Sequence, residues 1–444
     1  MNKIKRLIDE SPMSFYQIVI VAICFVLNMN DGIDVLVVSF SSSEITKEWG
    51  LSKTEMGYIF SAGLAGMTVG AFFLAPFADK IGRRKVFILS LTLITLGMLM
   101  VSICSHYWQM LLLRLITGMG IGGILPTMAA TASEFSNNKK RDFNVGLVQA
   151  GWPVGAILTG FFCAYAIPQF GWRYAFLLAG CISLIMLIGV ILFMSDSLDY
   201  LIQKQPLNAL KKANVLLHKM NHTPLEALPE KRKDTYKVSF SELLKPPYQS
   251  DTYKLWIAIF FGFLTLYTLM SWVPNIAKDA GLPFEMATYV GIALNIGAAI
   301  GTITMGVFAG KIGLRKTVPG FMLLAFIVML IYGNSHLSTV LIFVVIFMIG
   351  TFVQGGFNGI YPTISRVYPT KIRTTGVGFA IGVGRFGAII GPTLFGYLSD
   401  SGLPISLLFS LFSLPLLVMG FAVYSLKSNN LILNQTENFQ GQKS

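Results

Sequence analysis

The chain has 444 residues, 54% of them hydrophobic and only 12% charged, too little polar surface for a soluble globule of this size. That composition excludes an ordinary cytosolic enzyme or binding domain and places the chain in lipid. The net charge of +13 could point to nucleic acid, so where the charges fall has to decide its meaning.

Twelve apolar stretches of about 20 residues, long enough to cross a roughly 30 Å hydrocarbon core as helices, can be laid along the chain. The predicted spans are 16–40, 54–77, 86–103, 107–131, 144–167 and 173–194, then 254–276, 286–309, 317–334, 338–364, 375–398 and 404–426. Each is continuously apolar with no period-two alternation, which favours helices over a membrane barrel. The expected fold is all-α, twelve transmembrane helices in two pseudo-symmetric six-helix halves. The predicted organisation is a first half at 1–194, a central cytoplasmic loop at 195–253, a second half at 254–427 and a polar cytoplasmic tail at 428–444.

The amino terminus is basic and then apolar, as in a signal peptide, but the apolar run continues without an evident small-residue cleavage site and reads as an uncleaved first helix. That segment contains NMNDGID, with Asp31 and Asp34 on one helical face and Asn28 a turn earlier. A carboxylate at the centre of a membrane helix costs on the order of 2.5 to 3.5 kcal/mol on insertion scales, so the pair needs a water-filled cavity, a cation or a proton. Asp31 and Asp34 are therefore the candidates for loading and releasing a proton, against the plainer reading that Asp34 is solvated near the outer end.

The octet ADKIGRRK at Ala78 to Lys85 returns as AGKIGLRK at Ala309 to Lys316, six positions of eight identical and 231 residues later. Each copy is a short basic hinge between apolar runs, and the repeat marks duplication of a whole half. Asp79 with Arg83 and Arg84 can hold the cytoplasmic ends of neighbouring helices by charge-assisted bonds, a gating role, whereas Gly310 takes the place of the acid in the second copy. EFSNNKKR at Glu134 to Arg141 and YPTKIR at Tyr368 to Arg373 correspond more loosely, their final arginines 232 residues apart.

The fourth segment reads RLITGMGIGGILP. Its Gly118, Gly120 and Gly123 match G-x-G-x-x-G formally, but inside an apolar helix with no preceding strand they indicate close helix packing and not a dinucleotide site. Arg114 in the same segment must face a carboxylate, a substrate anion or water, or else reach the outer interface. The seventh segment offers Tyr267 and Trp272 with Ser271 and Asn275, and the tenth carries a polar stripe of Gln354, Asn358, Tyr361 and Ser365. Rings with hydrogen-bonding tips suit a planar, partly polar ligand, although such stripes also glue helices together. In the eleventh segment Arg385 lies about ten residues from either end, too deep to reach water easily, and is the cation chosen to bind an anionic group.

Of the 34 Lys and Arg, 28 fall on the face shared by both termini, against Lys47, Lys53, Arg173 and Lys278 on the other. The positive-inside rule puts both termini in the cytoplasm and removes the need for a nucleic-acid partner. The four cysteines and four histidines show no pairing or ligand spacing, so no metal is expected. There is no P-loop, no H-E-x-x-H and no G-x-S-x-G with a placed base. The chain is read as no enzyme and without cofactor, with a proton gradient as its energy source.

Twelve helices in two halves, the D-K-x-G-R-R loop, and Arg114 followed by Gly118, Gly120 and Gly122 resemble the major facilitator superfamily over almost the whole chain. Within it, DGID at Asp31 to Asp34 and the run YPTKIRTTGVGFAIGVGRFGAIIGP from Tyr368 to Pro392 resemble the aromatic acid:proton symporter family, carriers of benzoate, hydroxybenzoates, protocatechuate and muconate. The resemblance implies that Asp31 and Asp34 are needed for transport, that Asp79 and its basic loop switch conformation, and that Arg385 recognises a carboxylate. Glu134 and Arg141 match the acid and base after the fourth helix of that group. Ala75 replaces the first glycine of the loop motif, and the usual PESPR-like stretch after the sixth helix is reduced to MSDSLDYL.

The expected function is proton-coupled uptake of a small organic anion, an aromatic carboxylate such as a benzoate or hydroxybenzoate, by a monomer in the cytoplasmic membrane. Substrate contacts are assigned to Arg385, Arg114, Asn28, Tyr267, Trp272, Gln354, Asn358 and Tyr361, and gating to Asp79, Arg83, Arg84, Glu134, Arg141 and Arg373. The rival readings are a symporter of a non-aromatic carboxylate, a proton-coupled efflux antiporter, to which the Gly151-x-Pro153-x-Gly155 run gives weak support, and, from another class, a solute receptor that does not transport.

Overall fold

In the computed structural model, residues 8–229, 240–335 and 337–427 are described, and of these the side chains of Asp79, Phe240, Thr370 and Lys371 are not. The KRK run at 231–233, His336, the tail from 428 and the first basic residues of the chain therefore lie outside the described residues. Among the described residues there is no strand, and twelve helices are long and apolar enough to cross a membrane. They are α1 Phe15–Trp49, α2 Lys53–Phe73, α3 Arg83–Val101, α4 Tyr107–Glu134, α5 Arg141–Phe170 and α6 Trp172–Phe193. In the second half they are α7 Gln249–Asp279, α8 Phe284–Ile312, α9 Leu314–Asn334, α10 Thr339–Val367, α11 Thr370–Asp400 and α12 Ile405–Tyr424. The protein is a multi-pass membrane protein.

The largest departure from the expected boundaries is at α1, which runs nine residues past the predicted end at 40 because the polar stretch SSSEITKEW continues the helix beyond the apolar run. The tenth helix is interrupted at Gly359, with Thr339–Asn358 on one side and Ile360–Val367 on the other. Between the halves, the short helix expected near 206–220 is Ala209–Lys219, preceded by Leu198–Lys204, whose first turn is capped by Ser197.

The chain forms two compact units: Met1–Glu44 with Ala62–Tyr236, and Ile45–Ser61 with Lys237–Ser444. The tip of the α1–α2 hairpin thus belongs with the second unit. In the first unit, α2 and α4 touch backbone to backbone: a Cβ on Gly66 or Gly70 would strike the carbonyls of Leu115 or Met119, and one on Gly118 or Gly122 those of Gly63 or Met67. The second unit repeats the device between α8 and α10, where Gly297, Gly301 and Gly350 face the carbonyls of Phe347, Thr351 and Leu294. The pairs correspond by duplication, and they give the glycines of the fourth helix the packing role expected of small residues in lipid. Gly151 and Gly155, which had weakly favoured the antiporter, are spent in the same way on the α1 carbonyls of Phe25 and Met29.

The repeated octets share a backbone reason as well. Gly82 and Gly313 sit at φ 99° and 81°, each turning the chain into the following helix, α3 or α9. That region of φ is open to glycine and costly for other residues.

Candidate functional site

In the first unit, α1 carries its two aspartates inward. Asp31 is 5% exposed and Asp34 1%. On α4, Arg114 is 4% exposed and grips Asp34 with both ends of its guanidinium, Nη1 donating to Oδ1 at 2.6 Å and Nη2 to Oδ2 at 2.8 Å. Gly63 on α2 leaves room for that head group, since a Cβ there would come within 3.1 Å of Nη2. A buried carboxylate and guanidinium in fork geometry form the one arrangement in which each charge is tolerable away from water. Of the alternatives open for Arg114 in the sequence, a facing carboxylate is the one found; it does not reach the outer interface.

The polar residues around this pair have other tasks. Asn28 donates to the carbonyls of Val148 at 2.7 Å and Gln149 at 3.3 Å, tying α1 to α5. Asn30 donates to Ser183 on α6, which also receives a bond from Thr95 on α3 at 2.9 Å. Asn28, expected among the substrate contacts, has its amide nitrogen engaged between helices.

The loops that follow α2, α4 and α6 hold a second set of charges. Arg83 pairs with Glu134 at the end of α4. Arg84 donates to the Ile191 carbonyl at 2.7 Å, and its backbone N–H donates to Asp196 just beyond α6. Burial pushes the Asp196 carboxyl above the usual carboxylate range, against the opposing pull of that hydrogen bond and of Arg84. Arg141 pairs with Asp9 and donates to the Ser133 carbonyl at 3.2 Å. The side chain of Asp79 lies outside those described. Among the expected gating residues, Arg83 and Glu134 are brought together, whereas Arg84 and Arg141 are met by Asp196 and Asp9. Sequence reading missed both acids: Asp196 sits in the reduced MSDSLDYL stretch, and nothing local links Asp9 to a base 132 residues away.

In the second unit, Arg385 on α11 is 8% exposed, and its guanidinium carbon lies 5.8 Å from the Phe263 ring centre on α7. Phe263 is stacked on Tyr267, centroids 5.5 Å apart and planes at 25°, and meets Phe357 of α10 edge to face at 4.7 Å. Phe357 in turn meets Tyr361 at 5.7 Å. Arg385, Tyr267 and Tyr361 are thus gathered with two unpredicted phenylalanines into one cationic, aromatic cluster. Phe263 and Phe357 could have been found from their spacing, four before Tyr267 and four before Tyr361.

The remaining expected contacts sit apart from that ring cluster or bind within the fold. Trp272 is 1% exposed and gives its indole N–H to the Pro392 carbonyl at 3.0 Å, between Phe60 and Phe395. Gln354 donates to Asn358 at 3.2 Å, and Asn358 to Thr302 of α8 at 2.7 Å. Arg373 donates to the Tyr368 carbonyl at 3.3 Å. At the other end of the unit, Asp400 caps α2, accepting from the N–H groups of Lys53 at 3.1 Å and Thr54 at 2.7 Å and from the Thr54 hydroxyl, while Lys53 reaches Asp279 at 2.7 Å. The four cysteines are unbridged, and among the described residues no group of His, Cys, Asp or Glu could hold a metal.

Twelve apolar helices built on matching seams, with a buried ion pair in one unit and a cation set among rings in the other, are the frame of a membrane solute carrier. The chain matches the Major Facilitator Superfamily over residues 20–301 and 255–440, and it belongs to that superfamily. It is 29% identical over 429 residues to the 4-hydroxybenzoate transporter PcaK of Acinetobacter baylyi, covering 95% of this chain and 93% of that one. It is 28% identical over 421 residues to the gallate transporter of Pseudomonas putida, covering 95% and 94%. These relatives match the aromatic acid symporter group. Among solved structures, a D-xylose-proton symporter has the same fold, with a TM-score of 0.75, 14% identity and coverage of 94% of this chain and 99% of that one.

Proposed function

We propose that this protein takes up a small aromatic carboxylate together with protons across the cytoplasmic membrane, by alternating access. The observation that carries the substrate reading is Arg385, a buried cation against Phe263 and its stacked partner Tyr267, in a chain whose relatives are named for gallate, 4-hydroxybenzoate and benzoate. A guanidinium suits the carboxylate and the ring faces suit an aromatic body.

Asp34 and Arg114 support the coupling. While ionised they neutralise each other; a proton on Asp34 leaves Arg114 as an uncompensated interior cation, at a cost of several kcal/mol. An anion held at Arg114 would offset that charge, and in such a site proton and anion each favour the binding of the other, a reciprocal coupling. Asp31, one turn away, is the second candidate for the proton. The distribution of Lys and Arg supports cytoplasmic termini, and the energy source in this reading is the proton gradient with no cofactor.

Purified protein in liposomes, acid outside, should accumulate labelled 4-hydroxybenzoate or benzoate above the equilibrium level, and a protonophore should abolish the gradient of substrate. The Asp31→Asn, Asp34→Asn double variant should lose uphill uptake while remaining folded. Full uphill uptake by that variant would sink the proton-carrier role; efflux against the pH gradient would favour the antiporter.

A further inference from the structure

Segments far apart in sequence bring cations to one rim of the first unit, where α1 begins and α6 ends. Tyr16, in the first turn of α1, donates its hydroxyl to the Phe193 carbonyl at 3.2 Å and accepts from the Ser195 N–H at 3.1 Å, which ties the two helix ends together at one level. Lys219 holds its Nζ 5.0 Å from the centre of the Tyr16 ring, although a long stretch of chain separates it from the end of α6. Arg84, from the octet loop, reaches the last turn of α6 through its bond to the Ile191 carbonyl at 2.7 Å.

Packing builds the return of Lys219 to this rim. The helix Ala209–Lys219 buries Ala209, Ala213, Leu216 and Leu217 on one face, and it packs on Leu198–Lys204, which buries Leu198, Leu201 and Ile202. Lys211, Lys212, His218 and Lys219 are left on the exposed face. Arg84, Lys212 and Lys85 all lie close enough to Asp196 to oppose the rise that burial imposes on its carboxyl. One carboxyl does not neutralise so many cations, and the loop acids Asp9 and Glu134 are held by Arg141 and Arg83. Among the described residues no carboxylate comes within ion-pair distance of Lys85, Lys212 or Lys219. Beside these cations the surface is apolar: Phe15 and Ile18, on either side of Tyr16 in α1, and Leu192 and Phe193 at the end of α6 are all more than half exposed. Exposed apolar residues at the ends of membrane-spanning helices face acyl chains, and a tyrosine at that level marks the headgroup boundary.

We infer that Arg84, Lys85, Lys212 and Lys219 form a site for the headgroup of an anionic phospholipid, whose acyl chains lie along Phe15, Ile18, Leu192 and Phe193. The inference does not depend on what the carrier transports. An excess of Lys and Arg on one side of the bilayer is general to membrane proteins and by itself demands no site. Here the cations converge: two come from the octet loop, and two from a helix folded back onto the membrane edge, where Lys219 is held on a ring that is itself bonded to α6. The attraction of a cation to an anionic headgroup falls off within a Debye length of about 8 Å, so cations gathered at the level of the helix ends count most. A soluble anion would meet the same cations but leave the apolar strip uncovered. A zwitterionic lipid offers the same phosphodiester but brings a cation of its own, which the cluster repels. An anionic lipid satisfies both parts, and its headgroup would bridge the octet loop and the helix Ala209–Lys219.

The test titrates the full-length protein in a neutral detergent with dioleoyl phosphatidylglycerol, dioleoyl phosphatidylcholine or glycerol 3-phosphate, bound lipid being counted by native mass spectrometry. Phosphatidylglycerol should bind about tenfold or more tightly than phosphatidylcholine, and glycerol 3-phosphate should not displace it. At about fivefold per lysine near an anionic headgroup, the Lys212→Gln, Lys219→Gln double variant should bind phosphatidylglycerol about 25-fold more weakly. Lys219→Arg keeps the charge over the ring and should bind as the unaltered protein does. A second double variant, Lys139→Gln with Lys140→Gln, removes the same charge from exposed positions between α4 and α5 and should hold the affinity to within about twofold. All four lysines are exposed, so their replacement leaves the packing of the fold untouched. Equal binding of the two lipids, or an unchanged affinity in the Lys212→Gln, Lys219→Gln variant, overturns the site. An equal loss in both double variants also overturns it, by showing that overall charge alone governs binding. Displacement by glycerol 3-phosphate overturns lipid as the occupant and leaves a site for soluble phosphate in its place.

Discussion

Replacing Asp34 by Asn removes one charge from a pair whose side chains are 1% and 5% exposed. Two short charge-assisted bonds, at 2.6 and 2.8 Å, become at best one neutral bond, and the guanidinium stays charged because arginine does not give up its proton. An uncompensated buried charge of this kind costs about 3 to 5 kcal/mol. Asp34→Asn should therefore lower the midpoint of thermal unfolding in detergent markedly. Adding Arg114→Gln should restore much of the loss, because the stranded charge is gone; the double variant should be more stable than the Asp34→Asn single variant. In liposomes both variants should lose proton-driven accumulation, since neither retains the acid whose protonation frees the arginine. The reasoning fails if Asp34→Asn melts with the unaltered protein, or if the double variant loses the sum of the two single losses.

Three further outcomes follow from the loops between helices. Gly82→Ala combines a φ of 99° with a Cβ that would lie 2.5 Å from Asp196 Oδ1 and 3.0 Å from Tyr200; it should cost at least about 2 kcal/mol in thermal stability, whereas Gly378→Ala, where a Cβ meets nothing within 4 Å, should not. Asp196 has a folded value raised by burial, so its unfavourable contribution is fully present above that raised value and disappears as pH falls below the unfolded one. Unfolding midpoints measured across the weakly acidic range should rise on acidification, and Asp196→Asn should flatten that dependence; an identical slope would refute the assignment. Asp400→Ala removes the cap on α2 and should cost about 1 kcal/mol, seen as faster amide exchange at residues 53–57; unchanged exchange there would show the cap to be idle.

Much of the architecture was readable because lipid imposes it. A continuous apolar run of sufficient length admits little besides a helix, and the octet repeat announced duplication. What the sequence could not supply were partners. Arg114 was recognisably in need of a counter-charge, and Asp34 recognisably out of place, yet their meeting depends on how α4 packs and not on any spacing along the chain. Asp196, Asp9 and Asp400 carried no signal at all, since a loop acid beside a helix end is common and its partner is not fixed by any spacing along the chain. Asn28 and Trp272 illustrate the opposite difficulty: polar tips on apolar helices look alike whether they bond a ligand or, as their nitrogens do here, a neighbouring helix's carbonyl.

The seam between α2 and α4 has a consequence for how such a carrier can diversify. Where backbones touch, as at Gly66 with Leu115 and Gly118 with Gly63, neither helix can slide without meeting the other's carbonyls, so the seam works as a ruler that fixes the height of Arg114. A slip of one residue would move the guanidinium by roughly 1.5 Å along the axis and turn it by about 100°, away from Asp34. The α8–α10 seam gauges its own helices in the same way, but the side chains of Tyr267 and Tyr361 are part of neither seam. Variation can re-cut the contour there, residue by residue, while the buried Arg114–Asp34 pair keeps its station.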